Sequence, residues 1–173
     1  MHSMSSRAEE VESLLSEGYI IHDNIIKLYC AALVEQRSDA WFELRKKVIT
    51  GSMVDGVLGN NPYQKYDDLV MEKAGKPSSF KGNAATAWGT LYEPEATAKF
   101  EEAYNCKVLE FGLTKHPTCD CVAQSPDGVA VFKDQEPALI EIKCPMYRKI
   151  EQGCIPKYYL GQMQLGMHVF DTN

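Results

Sequence analysis

The residues with the clearest chemical use are Glu141 and Lys143, in the stretch Leu139-Ile140-Glu141-Ile142-Lys143-Cys144-Pro145. The stretch reads as a short strand, in which side chains two apart share a face. A carboxylate and an ammonium therefore stand together, while Ile140, Ile142 and Cys144 take the other face. A second acid, Asp127, lies upstream in Ser125-Pro126-Asp127-Gly128. The segment from Phe132 to Pro137 can turn the chain, and an antiparallel hairpin would bring Asp127 close to Glu141. Two carboxylates with carbonyl and water oxygens make a hard, oxygen-rich site suited to Mg2+ or Mn2+. Lys143 beside them can orient an attacking water or stabilise charge building on a phosphate. Taken singly, the same motifs are an exposed Glu–Lys pair and an ordinary turn.

Those side chains depend on the elements around them. Cys106–Gly112, Cys121–Phe132 and Ala138–Cys144 have the composition and bounding turns of three strands. Helical patterns precede them. Asn24–Gln36 has apolar residues at helical spacing, with Asp23 or Asn24 as N-cap. Ser38–Val48 is a short helix capped by Ser38 or Asp39, and Thr50–Gly59 a third, ended by Gly59. Asn60–Tyr63 is a turn, and the helix from Tyr66 is stopped by Gly75 and Pro77. A longer helix spans Asn83–Tyr104, with Gly89 and Pro94 expected to bend or divide it. A last helix follows Pro156 and runs to Phe170. Residues up to about Gly18 read as a weakly ordered or accessory segment. Helices, then strands, then a helix predict a sheet covered by helices.

At 173 residues the chain suits one domain with a real core, and 45% hydrophobic content argues against disorder. No apolar run reaches membrane-spanning length and the N-terminus lacks a signal-peptide pattern, so no membrane partner is expected and the location is intracellular. The net charge of −6 opposes a nucleic-acid partner taken alone. Its distribution softens this. Acid gathers near the N-terminus, while Arg45-Lys46-Lys47 and Lys143, Arg148, Lys149 and Lys157 form basic clusters. Cys30, Cys106, Cys119, Cys121, Cys144 and Cys154 form no CxxC pair, and His2, His22, His116 and His168 complete no zinc spacing. Reduced, partly buried thiols are expected.

In order, the blocks Gln36–Ser52, Ala87–Ala96, Ala123–Gly128, Ile140–Pro145 and Tyr158–Met167 resemble the phage lambda exonuclease type, or YqaJ viral recombinase (viral alkaline exonuclease) family, of the PD-(D/E)XK nuclease superfamily. The resemblance implies an α/β, restriction-endonuclease-like three-layer core, a mixed β-sheet flanked by helices. It divides the chain into a helical accessory segment, 1–35, and an exonuclease domain, 36–173, expected to be C-terminally incomplete. Asp127, Glu141 and Glu93 would be metal ligands, with the backbone carbonyl of Ile142. Lys143 would be the catalytic lysine and Gln164 the glutamine near it, with Gln162 facing differently. Arg45, Ser52 and Ser125 would line a DNA phosphate pocket. Trp41 and Trp88 are explained by core packing, and Tyr158 and Tyr159 are weaker candidates for touching DNA.

The activity so implied is Mg-dependent 5′-to-3′ exonuclease action on linear double-stranded DNA, leaving 3′ single-stranded tails for recombination. Mg2+ or Mn2+, two ions, would serve as cofactor. Implied partners are double-stranded DNA ends, preferably 5′-phosphorylated, a single-strand annealing protein, and two further copies in a homotrimer. A virus-encoded protein of the host cytoplasm or nucleus fits this picture. The alternatives are a structure-specific or restriction-like DNA endonuclease, and a DNA-end-binding module without turnover.

Overall fold

The computed structural model describes residues 4–31, 34, 36–76 and 82–172. In chain order come α1 (Met4–Ser16), α2 (Asp23–Cys30), α3 (Asp39–Lys47), β1 (Ile49–Thr50), α4 (Gly51–Val57), α5 (Tyr66–Lys73) and α6 (Ala84–Tyr104). Then follow β2 (Lys107–Leu109), β3 (Thr114–His116), β4 (Cys119–Gln124), β5 (Gly128–Val131), β6 (Ala138–Ile140), a 3-10 turn at Lys157–Tyr159, and α7 (Leu160–Phe170). The class is the expected mixed α/β, but the strands form two small sheets. One has the order β1-β4-β3, the other β2-β5-β6. In the first, β1 runs parallel to β4 and β3 antiparallel; in the second, all pairs are antiparallel.

Local chemistry sets the helix ends. The Ser38 hydroxyl accepts the Trp41 amide at 3.2 Å and starts α3. Asn83 and Thr86 exchange side-chain and backbone bonds in a capping box that starts α6. Asn105, left-handed at φ 50°, ends it. Between those caps α6 is continuous for 21 residues, and the expected division at Gly89 or Pro94 does not occur. Pro94 removes one backbone donor, and the helix is fastened on both sides of it. The N-cap of α2 is His22, one position ahead of Asp23, and α2 ends at Cys30, short of the expected Gln36. His2, Ala32, Leu33, Glu35 and the 77–81 part of the loop before α6, including Pro77, lie outside the described residues.

Three strand expectations change. The run Cys121–Phe132 is not one strand. Pro126 offers no amide to a ladder, and the chain leaves β4 at Gln124 to begin β5 in the other sheet at Gly128. The last strand stops at Ile140, so Glu141 to Cys144 continue outside the ladder. Strands β1 and β3, two and three residues long, carry too little pattern to be read from sequence.

The main core joins Val11 and Leu14 of α1, Ile25 and Tyr29 of α2, Leu109, Phe111, Val129, Val131, and Val169 and Phe170 of α7. The N-terminal stretch before Gly18, expected to be weakly ordered, is thus a helix sharing this core. Helix α7 also packs on α4, β3, β4 and β6, spanning both sheets. No helix among the described residues is long and apolar enough to cross a membrane.

Candidate active site

The β5–β6 hairpin positions the two central acids. Antiparallel pairing sets Gly128 opposite Ile140, so Asp127, just before β5, faces Glu141, just after β6. The expected juxtaposition is present although Glu141 lies past the strand. Oδ2 of Asp127 accepts the Ile142 amide at 2.5 Å and ties the two chains together where the ladder ends. A glycine follows Asp127 because a Cβ at position 128 would strike the Val108 side chain and stand 3.2 Å from the Leu109 carbonyl oxygen.

Glu141 is more confined than Lys143, with its side chain 6% exposed against 34%. Its Oε1 accepts from Lys143 Nζ and, at 2.6 Å, from Gln162 Nε2. Its Oε2 is buried without a hydrogen-bond partner. Burial pushes the Glu141 carboxyl up to about 7, with Asp127 adding and Lys143 and Gln162 opposing. Burial also raises Asp127, against Lys143 and the Ile142 amide. Glu93 of α6 is raised by burial and then by the charge of Asp127. For Lys143, burial favours the neutral amine, but the Glu141 and Asp127 carboxylates and the Tyr159 hydroxyl outweigh it and hold the ammonium charged. Its Nζ lies 5.5 Å from the centre of the Tyr159 ring.

Glu93 and Asp127 line a cavity of about 340 Å³ with Gln36, Thr97, Glu101 and Glu110. The donors Asp127, Glu141, Glu93 and the Ile142 carbonyl are all hard oxygens, the set that suits a small divalent cation. The unpartnered Oε2 of Glu141 and the mutual repulsion of the acids are features such a cation would relieve. Among the described residues, no three Asp, Glu, His or Cys side chains already stand close enough to hold one. The chemistry fits; side-chain rearrangement would complete it.

Gln164 stands apart from this group. It is exposed and lines a different cavity, of about 610 Å³, with Val54, Asp55 and His168. Gln162 is the glutamine beside Glu141 and Lys143. Two helical residues differ by about 200° in direction, so only one of the pair can face the hairpin. The phase of α7 is fixed in part by Asp55, whose Oδ2 accepts the Gly161 amide at 3.1 Å.

Arg45, Ser52 and Ser125, expected to line a phosphate pocket, lie around the first sheet. Arg45 Nη2 donates to Ser52 Oγ at 3.3 Å, and its guanidinium lies 4.3 Å from the centre of the Trp41 ring. Burial lowers the Arg45 pKa, with Glu72 opposing. Lys73 donates to the carbonyls of Arg45 and Val48, fastening the end of α3. Parallel pairing of Thr50 with Ala123 sends the chains toward Ser52 and Ser125 from the same level of the ladder. The Ser125 hydroxyl is buried and unpartnered. Trp41 packs on the Val48, Leu113 and Ala123 cluster as expected and carries the Arg45 guanidinium as well, a second contact that its sequence position does not announce, and Lys73 is not among the expected residues. The missed signals were an aromatic four residues before the arginine and a basic residue ending α5.

Helices around a sheet hairpin that presents Asp, Glu-x-Lys and a helical Gln define a restriction-endonuclease-like core. Residues 40–173 match the YqaJ-like viral recombinase domain, and the chain belongs to that family. It is 31% identical over 160 residues to protein D345L of African swine fever virus (strain Badajoz 1971 Vero-adapted), spanning 77% of this chain and 46% of that protein. Protein R354 of Acanthamoeba polyphaga mimivirus is 28% identical over 152 residues, spanning 80% of this chain and 28% of that one. The chain thus spans about half or less of these relatives. Among solved structures, the alkaline exonuclease LHK-Exo from Laribacter hongkongensis matches with a TM-score of 0.63 and 30% identity, over 78% of this chain and 70% of that one.

Proposed function

We propose that the chain is the nuclease core of a divalent-metal-dependent 5′-to-3′ exonuclease acting on linear double-stranded DNA and leaving 3′ tails for recombination. The observation that carries this is Glu141: one carboxylate held by both Lys143 and Gln162, facing Asp127 across a hairpin end and electrostatically linked through it to Glu93. Asp127, Glu141 and Glu93, with the Ile142 carbonyl, would hold Mg2+ or Mn2+, as two ions. Such ions activate water and neutralise charge on phosphate oxygens.

The remaining work belongs to the chain. Lys143, kept as an ammonium, donates to a phosphate oxygen as charge grows there. Gln162 keeps Glu141 oriented while Lys143 moves between carboxylate and substrate. Arg45 presents a planar fork to a terminal phosphate, with Ser52 and Ser125 adding hydroxyl donors. This assignment gives the preference for a 5′-phosphate. Assembly as a homotrimer and pairing with a single-strand annealing protein belong to the same proposal, as does action in the host cytoplasm or nucleus.

The test uses one linear duplex in 5′-phosphorylated and 5′-hydroxyl forms, with Mg2+ or chelator, beside a Glu141→Ala, Lys143→Ala double variant. Expected is Mg-dependent nucleotide release, faster from the 5′-phosphate and lost in the variant. Release from covalently closed circular DNA would instead favour an endonuclease. Binding of ends by folded wild type without release would favour an end-binding module.

A further inference from the structure

A line of tyrosines leads away from Lys143. Tyr159 lies beneath Lys143, and the Arg148 guanidinium stands 5.8 Å from the same ring centre. Tyr158 meets Tyr159 at 4.5 Å between ring centres and 62° between planes. Tyr63, from the α4–α5 turn, meets Tyr158 at 5.7 Å and 89°. The rings thus form a connected run from the hairpin end to the surface, where Tyr63 is 82% exposed.

Tyr63 is exposed, on a turn whose backbone is well fastened. The amides of Asn60 and Asn61 both donate to the Asp55 carbonyl, at 2.7 and 3.0 Å. The Tyr63 amide donates to Asn61 Oδ1 at 2.8 Å. A ring this exposed, on a turn whose backbone is fastened, gains little for the core. It is, however, an open face for stacking, on a backbone that need not be ordered first. Arg148 and Lys143 stand over the inner ring and Lys157 precedes Tyr158 in the chain; Glu141 pairs with Lys143, which leaves Arg148 and Lys157 as the cations beside the run. Exposed aromatic rings with cations at one end suit unpaired nucleotides: bases stack on open ring faces while phosphates meet the ammonium and guanidinium groups.

We infer that Tyr63, Tyr158 and Tyr159, with Arg148 and Lys143 over their inner end, form a stacking track for single-stranded DNA beside the cleavage site. The inference rests on the proposed DNA-directed reading and adds to it the place where an unpaired strand is held. The track favours single strands over duplex because paired bases hide their faces within the helical stack. It tolerates any sequence, since each base has a face to offer.

The experiment is fluorescence anisotropy in EDTA, which withholds metal and so preserves the DNA. The probes are a labelled oligothymidylate, an abasic oligomer of equal length, and a blunt duplex. Tyr63→Ala is expected to weaken oligothymidylate binding on the order of tenfold. Tyr63→Phe should restore it, and duplex binding should stay unchanged. The abasic oligomer should bind wild type and Tyr63→Ala alike. Equal oligothymidylate affinity of wild type and Tyr63→Ala would overturn the track while leaving the nuclease reading intact. Equal loss on duplex or abasic oligomer would overturn stacking in favour of general attraction. Failure of wild type to bind any of the probes would overturn the DNA-directed reading itself. Circular dichroism of the variants confirms the fold, and the exposure of Tyr63 keeps that control simple.

Discussion

Gln162 Nε2 donates to Glu141 Oε1 at 2.6 Å, joining α7 to the end of the β5–β6 hairpin. Gln164, two residues on, points elsewhere. Gln162→Ala is therefore expected to slow single-turnover cleavage about tenfold or more, the weight of one hydrogen bond to a charged group. Gln164→Ala should leave the rate within about twofold, the ordinary range for a surface change. Thermal melting of both variants separates this from unfolding. Equal rates for both would remove Gln162 from the site.

Divalent metal should stabilise the folded chain apart from any turnover. A ligand bound only by the native state at about a hundred times its Kd adds ~2.7 kcal/mol. For a chain of this size that raises Tm by roughly 5–10 °C. Differential scanning fluorimetry with Mg2+ or Mn2+ reads the shift directly. Asp127→Asn and Glu141→Gln should abolish it. A shift surviving in both variants would place the metal elsewhere.

Gly128 allows β2 to close against β5. Its replacement by Ala drives a methyl into Val108 and toward the Leu109 carbonyl. Overpacking of this kind costs about 1–3 kcal/mol. Urea unfolding of Gly128→Ala should show that loss. Cleavage should fall further than stability alone explains, because Asp127 is the adjacent residue. A variant as stable and active as wild type would mean that the sheet yields without moving the acid.

Alkaline pH should act through Tyr29. Burial raises its hydroxyl pKa, and the bond to Glu10 at 2.8 Å adds to the rise. A folded pKa above the unfolded one gives stability that is fully present below the unfolded value, about 10. That stability is lost as pH climbs through the folded value, because the unfolded chain then releases the proton first. Tyr29→Phe deletes this term. Its stability, followed by denaturant melts across the alkaline range, should fall less steeply with pH than that of wild type. Parallel curves would show that Tyr29 does not govern the alkaline limit.

Much of this arrangement was legible in the residues. Ser38, Asn83 and the spacing of apolar side chains mark α3 and α6, because caps and helical periods are local signals. The Asp127–Glu141 pairing followed from a turn between two apolar runs. The face of α7 was not legible. Leu160-Gly161-Gln162-Met163-Gln164-Leu165-Gly166-Met167 offers no polar side whose phase picks one glutamine over the other. Asp55 and the packing on α4 help to fix that phase, and both are long-range. The break after Gln124 also escaped: Ser125-Pro126-Asp127-Gly128 carries turn residues, but nothing local shows that the runs on either side join different sheets. Strand β1 exists only through its partner β4.

The break between β4 and β5 has a mechanical consequence. Arg45 and Ser52 ride with the first sheet, through α3, β1 and α4, while Asp127, Glu141 and Lys143 ride with the hairpin of the second. The chain crosses from one to the other over Ser125, Pro126 and Asp127, and α7 braces both. On the proposed reading, the anchor for a strand's end and the blade that cuts it stand on separate plates of one vice. Pro126 stiffens the short bar that gauges the gap. The distance from anchor to blade would then be a dimension of the frame, set where two sheets meet.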